Sequence, residues 1–291
     1  MERTQSLATR RSTVRQGLRR PRRLNDLWIG GILAALAFLG LFPFAFALIG
    51  SFKDDTQFAH TYWLPALPLH LENYGNAWGQ ISIYWVNSII VAATTTVAIL
   101  LLGSISGFVF ARYEFPGRNL FFFLIIILLA VPGIVNLVPL FLLVKALGLI
   151  DSKWALIVVY TVGNLYVTVY LMRNSIKAIN DEMFDAARID GASGPQVYRR
   201  IVLPLIRPVM GTVVMTTITG VWNEYIWAFL VINDPTKRTI GTGLQYYTNE
   251  QTTSYGPLFA GYILASLPLL LAFVFTSRYY VAGLQAGSVK L

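Results

Sequence analysis

The chain of 291 residues contains no cysteine, only two histidines and little charge. The absence of cysteine excludes disulfide bonds, thiolate metal sites and cysteine nucleophiles. Charged residues make up 13% of the chain, about half of the roughly 25% that is usual in soluble domains. Hydrophobic residues make up 55%, and the mean hydropathy is +0.58. This balance excludes a soluble enzyme, a collagen-like fibre and a disordered chain, and it is typical of a protein that lies largely in lipid.

Six apolar runs are each long enough, at about 1.5 Å per residue, to cross about 30 Å of hydrocarbon. They predict an all-α integral membrane protein with six transmembrane helices, which occupies residues 27–279 as one domain. Pro132 and Gly133 interrupt the third run and predict a kink or a break there. In chain order, the runs are Leu27–Gly50, Trp85–Phe110, Leu120–Val144, Trp154–Met172, Leu205–Val231 and Phe259–Tyr279.

Residues 1–26 form a basic arm with eight arginines, and the arm is predicted to be solvated and disordered because it has no apolar periodicity. With six spans, the parts of the chain on the arm's side of the membrane hold 18 of the 23 lysines and arginines. The positive-inside rule therefore predicts that both termini are cytoplasmic. The net charge of +9 is then a topology signal and does not indicate nucleic-acid binding. On the outer side, residues 51–84 and 232–257 are predicted to form long, partly ordered connections.

A cytoplasmic loop of about 30 residues, 174–204, separates the fourth and fifth runs and is too polar to lie in lipid. Its pattern predicts two short helices, the first over residues 181–190, joined at a tight elbow. The signals are Asn180 or Asp181 as N-cap, Gly191 as a left-handed stop, a capping box of Ser193 and Gln196, Pro195 in a first turn and Pro204 as a break before the next span.

The first of these short helices carries apolar side chains that cannot all face inward in so small a unit. Two interpretations stay open. Either a partner protein covers part of this surface, or the loop packs only on its own bundle. The side chains are those of Met183, Phe184, Ala187 and Ile189.

Glu224 is the only acid within the six apolar runs. An ionisable group at this depth is costly, and by default it faces the bundle interior and has a function. With Trp222, Asn223 and Tyr225 it forms a candidate substrate path, because aromatic faces pack on sugar C–H surfaces and amide or carboxylate groups bond to hydroxyls. The alternative is structural, with Asn223 and Glu224 bonded to a neighbouring helix.

Three classes of function fit a membrane chain with these features: a permease driven by a separate engine, an integral membrane enzyme that uses Glu224, and a secondary transporter. The chain has no Gly-x-x-x-x-Gly-Lys-Ser/Thr loop, so it is not expected to bind ATP. It has no His-Glu-x-x-His or Gly-x-Ser-x-Gly motif, and the histidine spacing indicates no metal site. A secondary transporter ordinarily needs coupling-ion groups or repeats within one chain. The loop 174–204 favours the first class.

A spaced pattern within the loop comprises Asp185-Ala186-Ala187, Gly191 and the ending Ile201-Val202-Leu203-Pro204. This pattern resembles the EAA loop of ABC-importer permeases, which has Glu-Ala-Ala, then Gly, then Ile-x-Leu-Pro. Asp185 stands where that family has its first Glu, and it keeps the charge on a side chain one methylene shorter. The resemblance implies a loop that couples the permease to a separate ATPase. The implied coupling residues are Asp185, Ala186, Ala187, Asp190, Gly191 and Pro204.

Segments outside the loop extend the resemblance over most of the chain except the arm. They are similar to the second permease subunit of maltose-type sugar importers. The segments are Ser51-Phe52-Lys53, Leu71-Glu72-Asn73-Tyr74, Asn87-Ser88, Trp222-Asn223-Glu224 and the ending Gly283–Lys290.

The resemblance implies a type I ABC importer permease architecture and a permease subunit that imports a di- or oligosaccharide or a related polyol. The implied partners are a homologous second permease, a dimer of ATP-binding subunits, an extracytoplasmic sugar-binding protein, the sugar and membrane lipid. ATP and magnesium would be bound by the ATPase partners, and this chain would bind no cofactor. The implied location is the cell membrane. Residues 280–291 are predicted to form a cytoplasmic tail, which either reaches the ATPases or is a frayed terminus.

Overall fold

A computed structural model describes residues 24–250 and 254–288 of the chain. These residues are helices and short connections, without a β-strand. The predicted basic arm, up to residue 23, and the last three residues of the predicted tail lie outside the described residues. In chain order the α-helices are α1 (Leu24–Ser51), α2 (Asp55–His60), α3 (Glu72–Arg112), α4 (Arg118–Ala130), α5 (Leu137–Ala146), α6 (Lys153–Lys177), α7 (Asp181–Ile189), α8 (Gly194–Val197), α9 (Leu203–Leu205), α10 (Arg207–Asn223), α11 (Ile226–Val231), α12 (Ile240–Glu250) and α13 (Tyr255–Ser288).

Four of the described helices, α1, α3, α6 and α13, are long and apolar enough to cross a membrane unaided. Two pairs of helices are long and apolar enough only when taken together: Arg118–Ala130 with Gly133–Ala146, and Gly194–Leu205 with Arg207–Asn223, bent by 96° and 72°. Counted as one span each, the pairs bring the number to six, which is the number that the apolar runs predict. The structure divides into two compact units, one ending at Phe46 and the other beginning at Ala47. The helices α2 to α13 all belong to the second unit.

The predicted break in the third span is confirmed, because α4 ends at Ala130, just before Pro132 and Gly133. Proline has no backbone N–H to continue a helix, and it disfavours helical geometry in the residue before it. The fifth run also contains a break that the sequence analysis did not predict. Its helix α10 ends at Asn223, and the short α11 begins only at Ile226.

The second span begins earlier than the apolar run suggests, because α3 starts at Glu72 and not near Trp85. Residues 72–84, which were predicted to belong to the outer connection, therefore form the first turns of a helix. Polar side chains in the first turns of α3 lower the hydropathy there, but they contact protein. The buried amide of Asn73 donates to the backbone carbonyls of Ser51 and Lys53, at 3.0 and 2.9 Å.

Helices α3 and α6 pack tightly and form the centre of the second unit. Gly103 and Gly107 lie one helical turn apart on α3, and a methyl group at either position would overlap Thr168 or Met172 of α6. Small residues at this spacing let two helix backbones approach closely, which is how helices associate in lipid without a hydrophobic driving force between them. The α3–α6 pair is thus the scaffold on which the remaining helices are placed.

Candidate functional site

The predicted coupling loop folds into two short helical arms, which we call the knob (residues 181–205). Its first arm is α7, whose N-cap is Asn180, since the Asn180 side chain accepts from the backbone N–H of Glu182 at 3.1 Å. The arm ends at Gly191, which has φ +72°. The backbone N–H groups of Gly191 and Ala192 donate to the carbonyls of Arg188 and Ala187, at 3.0 and 2.9 Å. This is a Schellman motif, and the predicted left-handed stop at Gly191 is confirmed.

The second arm begins at the predicted capping box. Gln196 Oε1 accepts from the backbone N–H and the hydroxyl of Ser193, at 2.8 and 3.0 Å, and a proline occupies the first turn. A π-helical turn, Tyr198–Val202, connects α8 to α9. Pro204 follows it, and a wider turn accommodates a proline ring that would press on the carbonyl four residues earlier in an α-helix. The chain bends at Ile206, two residues after Pro204.

The apolar side chains of α7 divide between two surroundings. Phe184 and Ala187 are buried in a cluster with α3, α6 and α10, whereas Met183 is 43% exposed and Ile189 86% exposed. One part of this surface therefore packs on the chain's own bundle and the other part is exposed, and its coverage by a partner protein stays a prediction. Of the six predicted coupling residues, Ala187 is buried, and the exposed ones are Asp185, Ala186, Asp190, Gly191 and Pro204.

Asp185 forms an ion pair with Arg188 of the same helix, with the nitrogen and oxygen 3.3 Å apart. Both side chains are largely exposed. An exposed pair at this spacing stabilises a helix by only a few tenths of a kcal/mol, roughly 0.3–0.5. The carboxylate of Asp185 is therefore free, at small cost, to exchange this partner for another cation.

Glu224 lies at the break between α10 and α11 and caps the second of these helices. Its Oε1 accepts from the backbone N–H of Trp227 at 2.9 Å, and its Oε2 accepts from the backbone N–H of Ala228 at 3.1 Å and from the Tyr160 hydroxyl at 2.7 Å. A helix N-terminus leaves N–H groups without partners and favours a negative charge. The carboxylate thus accepts from backbone N–H groups that would otherwise have no partner at a break within the membrane.

The three neighbours of Glu224 in the predicted substrate path lie in different surroundings. Trp222 is buried, and its indole N–H donates to the carbonyl of Ala265 on α13 at 3.2 Å. Asn223 is exposed and donates back to Thr219 of its own helix at 2.9 Å. Tyr225 stacks on Phe229, with ring centroids 5.4 Å apart. The structure therefore does not bring the four residues together as one cluster.

A cavity of about 700 Å³ lies between the α4–α5 bend, α6 and α11, and Glu224 lines it together with residues that the sequence analysis missed. Most of its wall is leucine, isoleucine and valine. Tyr160 and Asn164 are one turn apart on α6, and this spacing of polar residues in an apolar run was the signal available in the sequence. The polar wall residues are Asn136, Tyr160, Asn164, Tyr166 and Glu224.

The cavity wall combines aromatic rings, amides and one carboxylate. A carboxylate has about four acceptor positions, and three hydrogen bonds occupy the carboxylate of Glu224. Such a wall can accept and donate hydrogen bonds to a polar solute and can pack on its C–H surfaces. Among residues 24–250 and 254–288, no group of three His, Cys, Asp or Glu side chains is placed to hold a metal ion.

The chain has membrane-spanning helices, a cavity beside a broken span and an exposed helical knob. These features are those of a membrane permease. The chain shares its fold with a solved bacterial ABC transporter that is involved in the import of the acidic polysaccharide alginate. The TM-score is 0.77 at 20% sequence identity, over 90% of this chain and 98% of that one.

The chain belongs to the family of binding-protein-dependent transport system inner membrane components, whose model matches residues 99–284. It is 34% identical to YurM of Bacillus subtilis, a probable ABC transporter permease protein, over 91% of this chain and 88% of that protein. It is 30% identical to NgcG of Streptomyces coelicolor, a diacetylchitobiose uptake system permease protein, over 85% and 83% of the two chains. The members of this family are components of transport systems. The interpretation of the chain as an integral membrane enzyme was therefore wrong.

The capping role of Glu224 predicts the effect of replacing it. In Glu224→Gln only one side-chain oxygen remains to accept, so at least one of its three donors loses its partner, at a cost of about 1–3 kcal/mol. We expect hydrogen exchange of the α11 backbone amides to become about tenfold faster or more. Exchange measured by mass spectrometry on the chain in lipid nanodiscs tests this.

Asn223→Ala is the matched control, because that amide bonds only within the turn of its own helix. It should change α11 exchange by less than about twofold, as is usual for exposed positions. Equal exchange in the Glu224→Gln and Asn223→Ala variants would contradict the capping role.

Proposed function

We propose that this chain is one of two permease subunits of an ATP-driven importer and that the imported solute is a sugar, either a di- or oligosaccharide or a related polyol. The proposal that the importer is driven by ATP rests on the exposed face of the knob, in a chain that has no phosphate-binding loop of its own. The energy must then enter through a partner that docks on this face. The sugar is inferred from relatives that are named for the uptake of diacetylchitobiose and of arabinooligosaccharides.

The knob is proposed to dock in a cleft on an ATP-binding subunit, with Met183 and Ile189 as apolar contacts. Asp185, Ala186 and Asp190 surround them on the exposed side of α7. When ATP closes the two ATPases, each knob moves with its ATPase, and the attached helices tilt as rigid bodies. ATP and magnesium belong to the ATPase subunits in this proposal. A homologous permease supplies the other half of the pathway, and an extracytoplasmic binding protein delivers the sugar.

The substrate path is proposed to run along the cavity wall of Tyr160, Asn164, Tyr166 and Glu224. This proposal replaces the four consecutive residues predicted from the sequence, of which Glu224 alone lines the cavity. Glu224 then has two roles, because it caps α11 through its backbone partners and keeps an acceptor position for a sugar hydroxyl. Trp222 supports the path indirectly, by fixing the end of α10 against α13.

Both termini are proposed to be cytoplasmic, as the distribution of lysine and arginine predicts. The knob and the end of α13 then lie on the same side of the membrane. The backbone of α13 is helical to Ser288, so most of the predicted tail, residues 280–291, continues that helix toward the ATPases. The basic arm is proposed to contact anionic lipid headgroups on this side.

Uptake by cells tests the importer proposal directly. We expect cells of the source organism to take up at least one of four radiolabelled sugars in a way that requires this gene and cellular ATP: diacetylchitobiose, arabinotriose, raffinose or maltotriose. Deleting the gene should abolish the uptake, and a plasmid copy should restore it. Uptake that survives ATP depletion and follows the proton gradient would instead support a secondary transporter.

Replacing Gly191 by valine should uncouple the knob. A β-branched residue in left-handed geometry costs about 1–2 kcal/mol, and no atom lies within 4 Å of an added Cβ at this position, so the effect is conformational and not a clash. We expect Gly191→Val to reach the membrane in normal amounts and to take up sugar about tenfold more slowly per ATP hydrolysed.

Two variants control this experiment. Gly191→Asn should keep most of the uptake, since asparagine tolerates left-handed geometry. Gly75→Val adds the same side chain at a helical glycine that also has open space around it. Wild-type uptake by Gly191→Val would count against a role of the knob in coupling.

The absence of cysteine allows a simple test of orientation. A single cysteine at Leu64 (69% exposed) lies on the outer connection, and one at Glu114, also exposed, lies on the connection between α3 and α4. We expect a membrane-impermeant maleimide to label Leu64→Cys in intact spheroplasts, and to label Glu114→Cys only after permeabilisation. The unmodified chain is the blank. Labelling of Glu114→Cys in intact spheroplasts would refute the proposed topology.

A further inference from the structure

Arg112 is the last residue of α3, and its side chain reaches the two neighbouring helices at the knob end of the bundle. Its Nη2 donates to the carbonyls of Ile176, in the last turn of α6, and of Ile179, two residues after α6 ends, at 2.9 and 2.8 Å. Its Nη1 donates to the carboxylate of Asp181, the first residue of α7. Carbonyls at a helix end have no partner within the helix, and a cation there also favours the helix dipole.

The Arg112 guanidinium also stacks on the Phe184 ring of α7, with Cζ 3.6 Å from the ring centroid. The arginine side chain is only 16% exposed, and Phe184 is buried. A planar guanidinium can stack on a ring while its edge donates in several fixed directions, and lysine cannot reproduce this geometry. One side chain therefore joins α3, the end of α6 and α7.

Burial of Phe184 and Ala187 holds α7 against the bundle, but apolar contacts are non-directional. A helix of nine residues is also too short to be stable alone. The bonds from Arg112 add direction, because they fix the first turn of α7 relative to the ends of two spans. The second arm has a separate link to α3, a hydrogen bond of 2.7 Å between the hydroxyls of Ser104 and Tyr198.

We propose that Arg112 is the positioning residue that makes α7 move together with α3 and α6, so that displacement of the knob reaches the membrane-spanning helices. This inference rests on the proposed function for its consequence in transport. The attachment itself is a property of this chain alone. Arg112 does not need to contact either the sugar or the ATPase to act in this way.

Arg173 provides a matched control, because it is a second arginine with the same kinds of contact at the same end of the bundle. Its Nε donates to the carbonyl of Phe110 on α3 at 3.4 Å, and its guanidinium lies 3.6 Å from the Phe122 ring centroid on α4. It therefore joins α6 to α3 and α4. A loss of bundle packing should appear in both arginine variants, whereas a loss of knob attachment should appear only in the Arg112 variant.

Hydrogen exchange of the full chain in lipid nanodiscs tests the attachment. We expect Arg112→Gln to speed exchange of the α7 amides by about tenfold or more, and Arg112→Lys to give a smaller increase. Arg173→Gln should speed exchange in α4 and leave α7 within about twofold of wild type. Asp181→Asn removes only the charge of the exposed carboxylate that accepts from Arg112. It is the variant to measure if Arg112→Gln does not fold.

Transport by whole cells tests the consequence, using whichever of diacetylchitobiose, arabinotriose, raffinose and maltotriose the wild type imports. We expect Arg112→Gln to keep ATP hydrolysis while sugar uptake per ATP falls about fivefold or more, and Arg112→Lys to restore part of it. Unchanged α7 exchange in both Arg112→Gln and Asp181→Asn, or unchanged uptake per ATP, would overturn the inference. If the wild type imports none of the sugars with ATP, the proposed function fails, and the exchange data still decide the attachment.

Discussion

Every backbone N–H and C=O group in hydrocarbon must find a partner within the protein, and this requirement governs where the helices of this chain can break. At the α10–α11 break, the Glu224 carboxylate accepts from two backbone N–H groups of the new helix. At the α4–α5 break, the backbone N–H of Val131 donates to the carbonyl of Leu128, and Pro132 has no N–H to satisfy. Both breaks border the same cavity. The cavity exists because the helices around it are interrupted, and the interruptions are tolerated because each has a local chemical solution.

The close contact of α3 and α6 connects this cavity to the knob. In its first third, α6 places the Tyr160 hydroxyl 2.7 Å from the Glu224 carboxylate. At its end, the same helix presents the carbonyls that accept from Arg112. Between these points, Gly103 and Gly107 of α3 let the two backbones lie close together. Close packing of this kind favours motion of the two helices as one body, and in the proposed coupling this is how a displacement of the knob would reach the cavity wall.

Local signals in the sequence predicted the knob well. Gly191, the Ser193 capping box and the break near Pro132 depend on the chemistry of a few consecutive residues. Features whose partners are distant in the chain were not predicted. Hydropathy placed the start of α3 too late because the bonds of Asn73 to residues 51 and 53 cannot be read from composition. The four residues of the predicted path were grouped because they are consecutive, although Glu224 faces α6 and its neighbours do not.

Helix α3 is much longer than the membrane is thick. Its 41 residues make a rod of about 60 Å at about 1.5 Å per residue, roughly twice the thickness of the hydrocarbon. A rod of that length converts angle into distance, so a tilt of about 5° about one end shifts the other by about 5 Å. In the proposed coupling, a small rotation of α3 at the knob end would therefore give a large displacement at its other end. A fold with only membrane-thick helices would need about twice the rotation for the same opening.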